Sequence, residues 1–279
     1  LPIAAGISIA ALMPVDAPEA DWDNLQIVFA TSDGDVRQND LSDFTNVKRN
    51  GKIAMNLPEG VTLVNAAIAD ENDDVMLVTA LGRAIRFPTT EIRVFKSRGS
   101  TGVRGIRVGA GDRVVSMSII RHFEADPAER EAYLKQRRLM AGAPEEESEA
   151  DDEEVATPLG QLSTERYAEM SASEDLILTI TQSGSGKLSS SHDYPVRGRG
   201  GMGVKAMDGA MRGGPLVASF KVELSDQIML ATSTGQSIRV PVEQISFRSR
   251  SAGGVKVFNV GQDEEVVSVA RVAEQGDAD

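Results

Sequence analysis

The chain has 279 residues, a formal net charge of −13, no cysteine and two histidines. This length is sufficient for one large or two medium domains with a filled core. Without cysteine there is no disulfide framework, thiolate metal site or thiol nucleophile, and two histidines leave little for a metal site. We therefore expect no metal, no cofactor and a reducing cytoplasm.

The first predicted element is an apolar stretch, LPIAAGISIAALMP, at residues 1–14. It has no basic lead-in and reaches Pro14 too soon to cross a bilayer. The later apolar runs are short and are interrupted by glycine or acidic residues, which predicts that no membrane segment is present. We interpret residues 1–17 as a strand that forms the tail of a preceding repeat unit.

Four similar hairpins follow in chain order, each with an apolar run, a two-residue turn ending in glycine and a second short run. The four segments are LQIVFATSDGDVRQ from Leu25, DVMLVTALGRAIRF from Asp74, DLILTITQSGSGKL from Asp175 and DQIMLATSTGQSIRV from Asp226. Their turn glycines are Gly34, Gly82, Gly184 and Gly235. Glycine at these positions supplies the positive φ that a tight β-hairpin needs.

The second half of the unit also recurs, as a further glycine, an alternating stretch and a closing strand. The alternating stretches are GKIAMNL at Gly51, GVRGIRV at Gly102, GVKAMDG at Gly203 and GGVKVFNV at Gly253. Repeats of about 50 residues with four short strands are typical of propeller-like blades. We predict an all-β ring within one domain, 1–279, with complete blades at 25–69, 74–120, 175–222 and 226–272. A β-sandwich or several small barrels are the alternatives, and the common register of the four units disfavours them.

An acidic insert at residues 121–174 separates the second and third units. It contains six Lys/Arg and fifteen Asp/Glu, a net charge of −9 out of the −13 of the whole chain. Asp126, Pro127 and Gly142 are typical start and stop residues of a helix. The acidic stretch PEEESEADDEE from Pro144 is predicted to be disordered, and a weak second helix is predicted at 165–170.

Positive charge recurs at one place in every unit, the connector between the second and third strands. Equivalent connectors of a ring lie at equivalent places on its surface, so we expect one cationic belt that binds double-stranded DNA through its phosphates. The alternative is that these are ordinary solvated loop charges. The predicted DNA-binding residues are Lys48, Arg49, Lys52, Arg93, Lys96, Arg98, Arg104, Arg107, Arg197, Arg199, Lys205, Arg212, Arg248, Arg250 and Lys256.

The motifs that suggest an enzyme lack the sequence context that they need. GRGGMG at 198–203 satisfies a dinucleotide-binding pattern but is followed by VKAMDG instead of a helix. SGSGKLSS around Lys187 lacks the first glycine of a P-loop, and the three tyrosines have no surrounding catalytic constellation. We predict that this chain catalyses nothing on its own.

The stretch TTEIRVFKSRGSTGVRGIRVGAGDRVVSM resembles the C-terminal domain of the bacterial DNA gyrase A subunit. VFATSDGDVRQNDLSDF, GKIAMNL, DDVMLVTALGRAIRF, DQIMLATSTG and VEQISFRSRSAGGVKVFNV support the resemblance, which covers residues 1–120 and 175–272. It implies a β-pinwheel, a propeller-like ring whose blades exchange strands, with DNA wrapped around its basic rim. Arg104 and Arg107, which fall in the matched motif, are the firmest implied phosphate contacts.

The resemblance also implies partners and a location. The partners are the N-terminal breakage-reunion domain of the same polypeptide and the ATP-dependent gyrase B subunit, in an A2B2 complex in the bacterial cytoplasm, associated with the nucleoid. The wrapped DNA would be presented as the transported segment for negative supercoiling. The family's Gln-Arg-Arg-Gly-Gly-Lys-Gly box and its catalytic tyrosine have no counterpart in this sequence, so we interpret the chain as an N-terminally truncated piece.

Two rival functions remain at this point. One is the C-terminal domain of the topoisomerase IV A subunit, which has fewer or degenerate blades, and the other is a propeller-like scaffold that binds proteins. We also hypothesise that the acidic residues 145–154 compete with DNA phosphates for the rim.

Overall fold

The computed structural model describes residues 9–15, 17–45, 51–97, 99–140, 142, 162–208 and 213–273. Within these residues the chain forms fifteen β-strands and two α-helices. The strands are β1 Gln26–Thr31, β2 Asp35–Asp40, β3 Leu63–Ala69, β4 Asp73–Thr79, β5 Arg83–Pro88, β6 Val103–Arg104, β7 Val114–Arg121, β8 Leu176–Thr181, β9 Ser185–Ser190, β10 Val204–Lys205, β11 Leu216–Val222, β12 Gln227–Thr232, β13 Ser237–Pro241, β14 Val255–Lys256 and β15 Val266–Val272. The helices are α1 Pro127–Met140 and α2 Thr164–Ser173.

The strands form four antiparallel sheets, which we call blades 1 to 4. Their strand orders are β3-β1-β2-β6, β7-β4-β5-β10, β11-β8-β9-β14 and β15-β12-β13. In blades 1 to 3 the last strand comes from the following repeat unit, so each unit lends a two-residue strand to the blade before it. Among the described residues, blade 4 has three strands.

The closing strands lie at the centre of the arrangement and the exchanged strands at its perimeter. β3 packs beside β7, β7 beside β11 and β11 beside β15, whereas the exchanged strands β6, β10 and β14 each pair with one outer hairpin strand. The connectors predicted to carry DNA-binding residues therefore run to the outer edges of the blades.

Each blade packs one face against the next, which explains why the first hairpin strand of each unit is mostly apolar. Val28 and Ala30 of blade 1 pack with Val75 and Leu77 of blade 2 in one core cluster. The next two interfaces repeat this arrangement, with every residue of β8 buried. Strands covered on both faces need nearly continuous apolar sequence, and burial of this surface is the main stabilising contribution.

The recurring glycine before each exchanged strand is required by close backbone approach. Gly102 has a φ of +109° and Gly203 a φ of +69°. A Cβ atom at these positions would overlap the carbonyl oxygens of Val36 and Ala84, respectively. Because only glycine tolerates both the conformation and the proximity, these glycines allow β6 and β10 to reach the neighbouring blade.

The insert contributes α1 and α2, which pack on blades 2 and 3. Tyr133 of α1 and Met170 of α2 are buried, and the His192 ring contacts Tyr133 while its Nε2 lies 2.8 Å from the Met170 carbonyl oxygen. Arg166 of α2 makes a two-pronged hydrogen bond with Glu129 of α1 at 2.8 and 3.1 Å. Both predicted helices are present, whereas the acidic stretch at 144–154 lies outside the described residues.

The structure confirms the predicted all-β, propeller-like class with a helical insert. No helix in the described ranges is long and apolar enough to cross a membrane.

Candidate nucleic-acid interface

Three predicted cations occupy the same position on consecutive blades. Arg104 lies on the outermost strand of blade 1, Lys205 on that of blade 2 and Lys256 on that of blade 3. The Arg104 and Lys205 side chains are 45% and 39% exposed, and Lys256 is exposed. The exchange of strands thus brings three of the sequence-predicted residues to one perimeter.

The residue that pairs with this outermost cation on the adjacent strand differs from blade to blade. Asp35 faces Arg104, Arg83 faces Lys205 and Ser185 faces Lys256. Asp35 forms a 3.1 Å ion pair with the Arg104 Nε, and burial raises the pKa of Asp35 although Arg104 acts in the opposite direction. Asp35 thus partly neutralises the outer edge of blade 1 from directly across the strand pair, whereas blade 2 has two facing cations and a longer 4.0 Å pair between Lys205 and Asp208.

Four further candidates lie on exposed parts of the connectors. Arg107 is exposed and has no side-chain partner among the described residues. Arg93 is exposed and stacks 4.4 Å above the Phe95 ring. Lys96 pairs with Asp40 at 2.9 Å, and Lys52 donates to two backbone carbonyl oxygens. Exposed pairs such as Lys96 with Asp40 contribute little to stability, so a phosphate group can compete with the carboxylate.

Arg199 and Arg250 make the same set of hydrogen bonds at two successive blade junctions. The Arg199 Nε donates to the Glu91 carbonyl oxygen at 3.0 Å and its NH1 group to the Arg104 carbonyl oxygen at 3.1 Å. The Arg250 Nε donates to the Asp193 carbonyl oxygen at 2.8 Å and its NH1 group to the Lys205 carbonyl oxygen. Each arginine therefore fixes the backbone of the outermost cation on the preceding blade.

Arg250 requires a correction to the predicted rim. It is 5% exposed, because its guanidinium is enclosed by the Asp193 and Lys205 backbone. Its charge is therefore directed into the blade junction and away from solvent. Arg199 makes equivalent bonds but stays exposed, and Arg197 and Arg248 are half-buried. The predicted residues Lys48, Arg49, Arg98 and Arg212 lie outside the described residues.

Sequence reasoning missed a set of buried cations beneath the connectors. Arg37 donates to the Ser100 carbonyl oxygen at 2.7 Å, and Lys187 donates to the carbonyl oxygens of Ser249, Arg250 and Ala252. Both are fully buried and both are the third residue after a turn glycine. This shared position in the repeat is the sequence feature that could have identified them. Their hydrogen bonds to backbone carbonyl oxygens fix the connectors to the blades.

No group of three or more histidines and carboxylates in the described part of the chain is placed to hold a metal ion.

Comparison with known proteins gives one family. A family model described as DNA gyrase C-terminal domain, beta-propeller, matches residues 26–70, 73–121, 175–214 and 226–273. The DNA gyrase A subunit of Granulibacter bethesdensis is 45% identical over 100% of this chain and 31% of its own length. The corresponding protein from Rickettsia bellii is 38% identical over 99% of this chain and 30% of its length. The chain therefore spans about a third of the relatives it matches.

Two solved structures share the fold. The DNA gyrase A C-terminal domain has a TM-score of 0.69 at 17% identity, covering 98% of this chain and 73% of that one. The C-terminal domain of DNA topoisomerase IV has a TM-score of 0.71 at 19% identity, covering 98% and 68%. At these identities the likeness concerns the architecture alone.

Proposed function

Because this chain belongs to the family of DNA gyrase C-terminal domains, we propose that it binds double-stranded DNA without sequence specificity and bends it around the blade perimeter. The single observation that carries the proposal is the recurrence of Arg104, Lys205 and Lys256 on the outermost strands of three consecutive blades. Equivalent points on a curved perimeter form a curved track. A duplex that follows this track has to bend.

Phosphate contacts supply the affinity in this proposal. Each lysine or arginine that neutralises a phosphate releases counterions, and each contact steepens the log–log salt dependence of binding by about 0.9. In the described part of the chain, α1 and α2 pack on blades 2 and 3 through Tyr133 and Met170, and neither helix carries one of the predicted DNA-binding residues. Sequence preference therefore comes from the bendability of the duplex.

The catalytic steps belong to other parts of the enzyme in this proposal. This chain presents the bent duplex to the breakage-reunion domain of the same polypeptide, with the ATP-dependent B subunit completing an A2B2 assembly in the bacterial cytoplasm at the nucleoid. The outcome is negative supercoiling, and the chain alone has no catalytic role. The alternative is a component of topoisomerase IV, whose C-terminal domain shares the fold. The two are distinguished by whether the reconstituted complex preferentially supercoils or decatenates DNA.

The test is end-to-end fluorescence transfer on a duplex of about 100 base pairs, which is shorter than the DNA persistence length of about 150 base pairs. The chain is expected to raise the transfer efficiency. The Arg104→Glu/Arg107→Glu variant is expected to lose this effect while keeping its far-UV circular dichroism spectrum. A folded variant that bends DNA as well as the parent chain contradicts the perimeter assignment.

A further inference from the structure

We propose that Arg83, together with Lys205, forms a phosphate-binding site for the DNA backbone at the outer edge of blade 2. Arg83 is the first residue of β5 and directly follows the turn glycine Gly82. It therefore lies outside the connectors in which DNA-binding residues were expected. Strand exchange brings the two cations together, because Lys205 arrives on β10 from the following unit and pairs directly with Arg83. The inference rests on the proposed function and names a residue of the same surface.

Two cations directly opposite each other are an unfavourable pair on neighbouring strands. Side chains directly opposite each other in an antiparallel pair are close, with Cβ atoms about 5 Å apart, and like charges there are destabilising. The equivalent partner in blade 1 is Asp35, which forms an ion pair with Arg104, and in blade 3 it is the neutral Ser185. Among these three edges only blade 2 places two cations directly opposite each other, and a bound anion would offset the repulsion expected between them.

Solvent reaches both side chains, since Arg83 is exposed and the Lys205 side chain is 39% exposed. The Arg83 NH1 group lies 3.5 Å from the Gly203 carbonyl oxygen. The Lys205 Nζ lies 4.0 Å from the Asp208 carboxylate, and that side chain is itself 63% exposed. An exposed ion pair at this distance is weak, so a phosphate group that contacts both cations can compete with Asp208.

The backbone under this site is held rigidly. The buried Arg250 donates to the Lys205 carbonyl oxygen, and the Arg250 backbone nitrogen donates to the Asp193 carboxylate at 2.6 Å. The Lys187 Nζ donates to the Arg250 carbonyl oxygen. A cation whose backbone is fixed loses less entropy when it binds a phosphate, which favours affinity.

The experiment measures binding of the chain to the same 100-base-pair duplex between about 50 and 200 mM salt. Arg83→Gln and Lys205→Gln are each compared with Arg113→Gln, a substitution of an exposed arginine that precedes the central strand β7. We expect Arg83→Gln and Lys205→Gln each to lower the slope of log affinity against log salt by about 0.9. Between about 50 and 200 mM salt, the affinity of each variant then falls by a factor about 3.5 times smaller than that of the parent chain. Arg113→Gln is expected to leave the slope unchanged.

Thermal unfolding without DNA separates a binding role from a structural one. At low salt Arg83→Gln is expected to unfold at the same or a slightly higher temperature, because the substitution removes repulsion. A lower unfolding temperature for Arg83→Gln overturns the assignment of Arg83. The assignment also fails if the salt slope of Arg83→Gln equals that of Arg113→Gln while the slope of Lys205→Gln falls by about 0.9. If Arg83→Gln, Lys205→Gln and Arg104→Gln all keep the parent slope, the proposed function itself fails.

Discussion

Replacement of Arg86 by methionine is expected to destabilise the protein strongly. Arg86 is 3% exposed, its Nε binds the Asp74 carboxylate at 2.7 Å, and its other nitrogens donate to the Ser191 and Arg121 carbonyl oxygens at 2.8 Å each. Methionine leaves the buried Asp74 with His122 as its remaining described partner. Removal of one member of a buried ion pair costs about 3–5 kcal/mol. For a chain of this size that corresponds to a loss of about 6–20 °C in Tm.

The repeat supplies a matched control for this substitution. Arg239 pairs with Met229 as Arg86 pairs with Met76, so the two arginines have the same position in their blades, but Arg239 is exposed. Arg239→Met is expected to change the unfolding free energy by less than about 0.5 kcal/mol. Urea denaturation followed by circular dichroism measures both. Similar effects of the two substitutions, or a loss below about 1 kcal/mol for Arg86→Met, refute the reasoning.

Three further substitutions test the junctions and the perimeter. Gly102→Ala is expected to lower Tm clearly, because the φ of +109° and the nearby Val36 carbonyl oxygen both exclude a Cβ atom, and an unchanged Tm contradicts the close approach. Burial lowers the pKa of His192, so below about pH 6.5 the unfolded chain binds the proton more readily and stability falls. The parent chain is expected to lose more unfolding free energy between about pH 7.5 and 5.5 than the His192→Gln variant does, and the same pH dependence in both proteins contradicts this. Lys96→Gln removes a surface pair with Asp40 and is expected to alter stability by less than about 0.5 kcal/mol while lowering the DNA salt slope by about 0.9.

The fold was predictable because its local and repeated signals agree. Turn glycines such as Gly82 and Gly184 mark hairpins, and the recurrence of the same pattern gives the blades and their order. The exchanged strands were implied only by the family resemblance, since a strand of two residues has no periodicity of its own. Its position depends on a backbone contact with the preceding blade, such as that of Gly102 with Val36, and a linear pattern does not reveal this contact.

The candidate site was predictable in location but not in the state of each charge. Arg199 and Arg250 occupy equivalent positions and make equivalent hydrogen bonds, yet Arg199 is exposed and Arg250 is buried. Glycines flank Arg199 and serines flank Arg250, but the position of an arginine in the repeat does not by itself predict whether its side chain is enclosed.

Arg83 could not be found from the repeat pattern alone. Its position after the turn glycine is occupied by Asp35 in blade 1 and by Ser185 in blade 3, so the repeat requires no cation there. Hairpin stability does not favour a second cation opposite Lys205 either, since facing like charges repel. A charge that neither the repeat nor the local strand pair needs, on an exposed outer edge, is best explained by an anionic partner. The salt dependence of DNA binding by Arg83→Gln is therefore a direct test of whether residues on the blade perimeter are selected for binding beyond what the fold requires.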